Sequence, residues 1–104
     1  MIKVRISKKD NVIQSIHCKG HAMYDDYGKD IVCASFSTMI ITTINAILEF
    51  DKEAISYTDT NNLDIINIKK DNITNGLLNN LVHMIKELKE NYDKNINVKE
   101  ENHE

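Results

Sequence analysis

Residues 2 to 7 alternate strictly between apolar and polar, with Ile2, Val4 and Ile6 on one side and Lys3, Arg5 and Ser7 on the other. A period of two sends these sets to opposite faces of an extended chain, so the segment reads as a strand buried on one face only. Lys9, Asp10 and Asn11 supply turn chemistry, and residues 12 to 19 read as the returning strand of a hairpin. In that strand Val12, Gln14, Ile16 and Cys18 are expected on one face, and Ile13, Ser15, His17 and Lys19 on the other. Gly20 ends the strand and leaves His21 at or just beyond its tip.

The period then changes. Residues 22 to 29 show none and contain Asp25, Asp26 and Gly28, as a loop does. Asp30 is placed to cap a helix that runs from Ile31 to Phe50. Ser35, Thr38, Thr42, Asn45 and Glu49 mark its polar side, and Cys33, Ser37, Ile40, Ile41, Ile44, Ile47 and Leu48 its apolar side. Two short strands are expected over 54–58 and 63–68, joined by a turn through Asp59, Thr60, Asn61 and Asn62. A second helix opens at Thr74 or Asn75 and runs to about Tyr92, with Leu77, Leu78, Leu81, Ile85, Leu88 and Tyr92 as its stripe. A last strand is expected over 94–98, followed by a frayed polar tail. The order ββαββαβ predicts a single α+β domain over residues 1–104: a mostly antiparallel sheet with two helices packed on one face.

Several function classes fit poorly. The net charge is −3, and the basic pairs Lys8–Lys9 and Lys69–Lys70 each have an Asp beside them, so direct nucleic-acid binding is not expected. No segment reads as a signal peptide or a membrane span, and no membrane partner is expected. Two cysteines are too few for a disulfide scaffold, which points to a cytoplasmic protein with reduced thiols. His17, Cys18, His21 and Cys33 form the string H-C-x2-H-x11-C, but adjacent residues of a strand point to opposite faces. His17 and Cys18 cannot then reach one ion, so neither a metal nor a cofactor is expected.

The pair that carries chemistry is His21 and Cys33. A thiol in the first turn of a helix capped by Asp30 meets the positive end of the macrodipole, which favours the thiolate. Unpaired N–H groups of that turn are expected to hold the oxyanion formed on attack at a carbonyl. His21 would take the thiol proton and return it to the leaving amine. Ser37 lies one turn beyond Cys33 on the same face; its plainest role is a bond back to the Cys33 carbonyl. Cys33 read as a small buried hydrophobe is the competing view, and core packing is the expectation for Cys18.

The run Gly20-His21-Ala22, then Gly28-Lys29-Asp30-Ile31-Val32-Cys33-Ala34, then Ser37, closely resembles the signature of the ribosomal-processing cysteine protease family, Prp. The resemblance implies removal of an N-terminal extension from a bacterial large-subunit ribosomal protein, with His21 as base and Cys33 as nucleophile. It implies a homodimer and a flexible loop over the site, here Ala22, Met23, Tyr24, Asp25, Asp26, Tyr27 and on to residue 29, with Tyr24 or Tyr27 touching the peptide. Ser37 gains a supporting role by the same resemblance. Gly20 and Gly28 match the pattern; physically, Gly28 reads as a hinge and Asp30 as a cap rather than a third member of a triad. The alternative is a non-catalytic ribosome-associated binding or assembly factor on the same scaffold, in which Cys33 is unreactive.

Overall fold

A computed structural model describes residues 1–26 and 28–103. Seven elements follow in order: β1 (Ile2–Lys9), β2 (Val12–Lys19), α1 (Ile31–Phe50), β3 (Ile55–Asp59), β4 (Leu63–Asn67), α2 (Asn72–Asn91) and β5 (Ile96–His103). The five strands make one sheet in the order β3-β4-β2-β1-β5. Pairings β1–β2, β2–β4 and β3–β4 are antiparallel and β1–β5 is parallel, so the sheet is mixed and mostly antiparallel. Both helices cover the face that carries Ile2, Val4, Ile6, Ile16 and Ile65, all buried, while Lys3, Arg5, Lys19 and Lys99 stay exposed on the other face.

The β1–β2 turn puts Asp10 at φ 53° and Asn11 at φ 64°, the double left-handed turn whose twist suits a two-residue hairpin. The hairpin is not regular. Ser7 pairs with Ser15 but Lys8 pairs with Ile13, so Gln14 is a bulged residue. The extra residue shifts the phase of β2 and brings Ile13, expected on the outer face, into the core with Ile16 and Cys18. Two side chains secure the bulge: Asn75 Oδ1 accepts from the Ile13 amide at 3.0 Å, and Asn67 Nδ2 donates to the Ile13 carbonyl at 2.9 Å.

Three other expectations shift. The buried side of α1 is Val32, Phe36, Ile40, Thr43, Ile44 and Ile47, a stripe rotated from the expected one, which leaves Ser37 and Ile41 exposed and Cys33 half-buried. Helix α2 begins at Asn72 because Asp71 caps it, its side chain accepting from the Thr74 amide at 2.8 Å. The polar tail expected to fray is the second half of β5, paired with β1 as far as Lys9–His103. Uncharged Ser, Thr and Asn also leave α1 long and apolar enough by composition to cross a bilayer, contrary to the sequence expectation; here it packs against α2, and its buried side shares the core cluster with the sheet.

Candidate active site

The strand end, the loop and the start of α1 converge on one cleft. Gly20 closes β2 at φ +88°, and a Cβ there would lie 2.4 Å from the Met1 carbonyl oxygen. Only glycine lets the chain pass so close to the start of β1 and turn towards α1. His21 follows, exposed, and then Ala22, which is 1% exposed and belongs to the core. The Ala22 amide points at the sulfur of Cys33, with N and Sγ 3.2 Å apart. The other side of the same residue is clamped as well: Asn95 Nδ2, from the turn before β5, donates to the Ala22 carbonyl at 2.9 Å. Asn95 is itself held by main-chain bonds, accepting from Ile2 and donating to Tyr92, each at 2.9 Å.

Asp30 does more than cap the helix. One carboxylate oxygen accepts from the amides of Val32 and Cys33, both at 3.0 Å. The other accepts from Tyr24 at 2.9 Å and Asp25 at 3.4 Å. Partial desolvation works against ionisation, but the amides of Cys33, Tyr24, Asp25 and Val32 outweigh it and hold the carboxyl below the usual carboxylate range. One side chain therefore ties the loop to the helix start. The cost is that the Val32 and Cys33 amides, expected to be free for an oxyanion, are occupied. The amide that faces the thiol is that of Ala22.

The loop is less uniform than expected. Met23 adopts φ 57° and is 77% exposed. Tyr24 is turned onto Tyr92, ring centroids 5.2 Å apart in an edge-on contact. Met23, Asp25 and Gly28 line the cleft, whereas Asp26 anchors the turn by accepting from the Lys29 amide at 2.9 Å. Gly28 has φ +86° with open space around it, so its conformation and not a close neighbour calls for glycine. Tyr27 lies outside the described residues.

The cleft encloses about 870 Å³ and contains His21, Cys33 and Ser37 together. Its floor continues along α1 through Phe36, Ile40 and Ile41, and its far wall is the β3–β4 turn, Asp59 to Asn62. Nothing in the sequence ties that turn to the site, nor Asn95; only the sheet order β4-β2-β1-β5 brings them to either side of the β2 end. Ser35 and Thr38 bond back to the carbonyls of Ile31 and Ala34, but among the described residues Ser37 makes no such bond, and its hydroxyl stays in the cleft. Cys18 is in the core beneath the site, and burial, followed by the charge of Asp64, pushes its thiol up to about 12. His17 and Cys18 do lie on opposite faces, His17 paired with Asp64 on the open side of the sheet.

The sequence and the fold both have counterparts among known proteins. Residues 1–97 match the family model described as cysteine protease Prp. The ribosomal processing cysteine protease Prp of Staphylococcus aureus is 28% identical over 101 residues, covering 92% of this chain and 95% of the relative. The crystal structure of an essential ribosomal processing protease Prp from S. aureus, with a covalently linked product peptide, superposes with a TM-score of 0.90. It is 26% identical, and the match covers 97% of this chain and 100% of that one. A Streptococcus mutans protein shares the fold, with a TM-score of 0.83 at 24% identity over 99% of this chain and 96% of its own.

Proposed function

The chain belongs to the cysteine protease Prp family, and from that premise we propose that it removes an N-terminal extension from a large-subunit ribosomal protein in the cytoplasm, acting as a homodimer. The protease chemistry follows from the family; the substrate and the residue roles are our reading. The observation that carries it is the Cys33 sulfur in the first turn of α1, met by the Ala22 amide at 3.2 Å, in a cleft shared with His21.

In this reading His21 takes the proton of Cys33, and the thiolate attacks the scissile carbonyl carbon. The carbonyl π electrons move to oxygen and then return as the C–N bond breaks, leaving a thioester. The His21 imidazolium gives its proton to the departing amine. Water, deprotonated by His21, attacks the thioester, and Cys33 leaves as thiolate. The Ala22 amide supports the sulfur's negative charge, and Ser37 offers a hydroxyl to the peptide. The apolar floor of Phe36, Ile40 and Ile41 suits an extended peptide with apolar side chains.

The test is cleavage of a synthetic peptide spanning the extension junction of that ribosomal protein, followed by mass spectrometry. Wild-type protein should release the extension, and Cys33→Ala and His21→Ala should each lose cleavage with unchanged circular dichroism. Undiminished cleavage by Cys33→Ala would end the assignment of the nucleophile.

A further inference from the structure

The strand register gathers charges that are scattered along the chain. On the open face of the sheet Lys3 stands opposite Lys19 on β2 and Asn97 on β5, while Arg5 stands opposite His17 and Lys99. Two inter-strand steps span about 10 Å and the two rows are about 7 Å apart, so Lys3, Arg5, Lys19 and Lys99 form a compact cationic field. All four are exposed. Lys8, Lys69, Lys86 and Lys89 each meet a carboxylate elsewhere, but among the described residues Lys3, Arg5, Lys19 and Lys99 meet none. The carboxylates on this face are Asp64 and Glu101, and each has a histidine beside it, His17 and His103. The positive field sits on a chain of net charge −3, so it opposes the overall balance.

We propose that this open sheet face binds the phosphate backbone of double-stranded RNA through Lys3, Arg5, Lys19 and Lys99. A second copy of the same face would bring like charges together. The two rows present no Phe, Tyr or Trp on which unpaired bases could stack, and the one histidine in them, His17, is engaged with Asp64, which favours phosphate contacts over single-strand stacking. The rows also carry no apolar side chain; Ile66, exposed on the same face opposite Ser15, stands outside them and is a small anchor for a lipid surface. Lys19 lines the cleft that holds His21 and Cys33, so the field abuts the active site and a bound duplex would lie beside the peptide entrance. The choice of RNA over DNA rests on the proposed ribosomal-protein substrate. This departs from the sequence expectation because alternation within β1 hides Lys3 and Arg5 among apolar residues, and Lys99 arrives from the far end of the chain.

The experiment is fluorescence anisotropy of a labelled RNA duplex of about 20 base pairs, roughly two helical turns, titrated with the protein at several KCl concentrations. Four phosphate contacts give a slope of log K against log[salt] of about −3 to −4. The combined variant Lys3→Glu, Arg5→Glu, Lys99→Glu should bind at least about tenfold more weakly and cleave the short peptide at the wild-type rate, which shows that it is folded. Equal binding by that variant, or a slope near zero, overturns the proposal. Equal affinity for a DNA duplex, or tighter binding to phosphatidylglycerol vesicles, overturns the RNA assignment. Wild-type protein that cleaves peptide but does not bind RNA removes this site alone; protein that binds RNA but does not cleave removes the protease substrate instead.

Discussion

Replacing Asn95 by Asp tests whether the site depends on a residue that never touches substrate. Asp is nearly isosteric but offers an acceptor where Asn95 Nδ2 donates to the Ala22 carbonyl at 2.9 Å. Ala22 is 1% exposed, so its carbonyl loses its partner without gaining water. An unsatisfied buried acceptor costs about 1–3 kcal/mol. Relief comes from a shift of the backbone at Ala22; its N–H lies on the preceding peptide plane and shares the same Cα, so the shift draws that amide, 3.2 Å from the sulfur, off Cys33. If about 1–2 kcal/mol of the loss falls on the reacting geometry, kcat drops roughly 5- to 30-fold. KM for the peptide should hold, because Phe36, Ile40 and Ile41 are untouched. Alkylation of Cys33 by iodoacetamide at neutral pH should slow along with kcat, since the thiolate has lost a donor. A purely structural role would instead lower Tm, by about 4–8 °C per kcal/mol for a chain of this size, and leave kcat and alkylation alone. That second pattern would refute the positioning argument.

The two thiols should separate cleanly: intact-mass analysis after iodoacetamide treatment of native protein near pH 8 should show one adduct, on Cys33. Cys18, pushed up to about 12 by burial and then by Asp64, should react only in denaturant, and a second native adduct would contradict its placement. For Asp30, whose folded carboxyl titrates below its usual range, the stabilisation is complete above the ordinary carboxylate value and is lost as pH falls through the lowered one. Protection of the Tyr24 and Asp25 amides against hydrogen exchange, taken relative to the intrinsic rate at each pH, should therefore fall only in that acid window, and Asp30→Asn, keeping one acceptor oxygen for the helix, should free these loop amides at neutral pH. Gly20→Ala meets the Met1 carbonyl at 2.4 Å as well as a φ of +88°, whereas Gly28→Ala meets only its φ of +86°. Left-handed strain costs about 1–2 kcal/mol and overpacking about 1–3 more, so Gly20→Ala should show the larger fall in Tm.

The elements that were legible in the sequence are those whose cause is local. Alternation at Ile2, Val4 and Ile6 marks a strand wherever that strand lands, and Asp30 before an apolar helical run marks a cap. That His21 and Cys33 line one cleft was readable because a strand end and a helix start are close in the chain. The bulge at Gln14 was not, because the bonds that secure it come from Asn67 and Asn75, more than fifty residues away. The occupied amides of Val32 and Cys33 are ambiguous for a different reason: a cap and an oxyanion site need the same N–H groups, and sequence alone does not say which prevails. Asn95 and the Asp59–Asn62 turn carry no motif, and their place at the cleft is a property of strand order alone.

The parallel β1–β5 pairing bears on when the protein becomes active. Ile2 pairs with Ile96, so the edge of β1 stays open until the chain has been made at least as far as Ile96. Contacts this distant close slowly, and an open strand edge invites pairing with other chains in the meantime. The same late segment delivers Asn95 to Ala22. A nascent chain that has emerged as far as α2 would carry both His21 and Cys33 but lack the clamp that aims an amide at the sulfur. If Asn95 positions the site as proposed, cutting waits for the segment that carries it to reach the sheet.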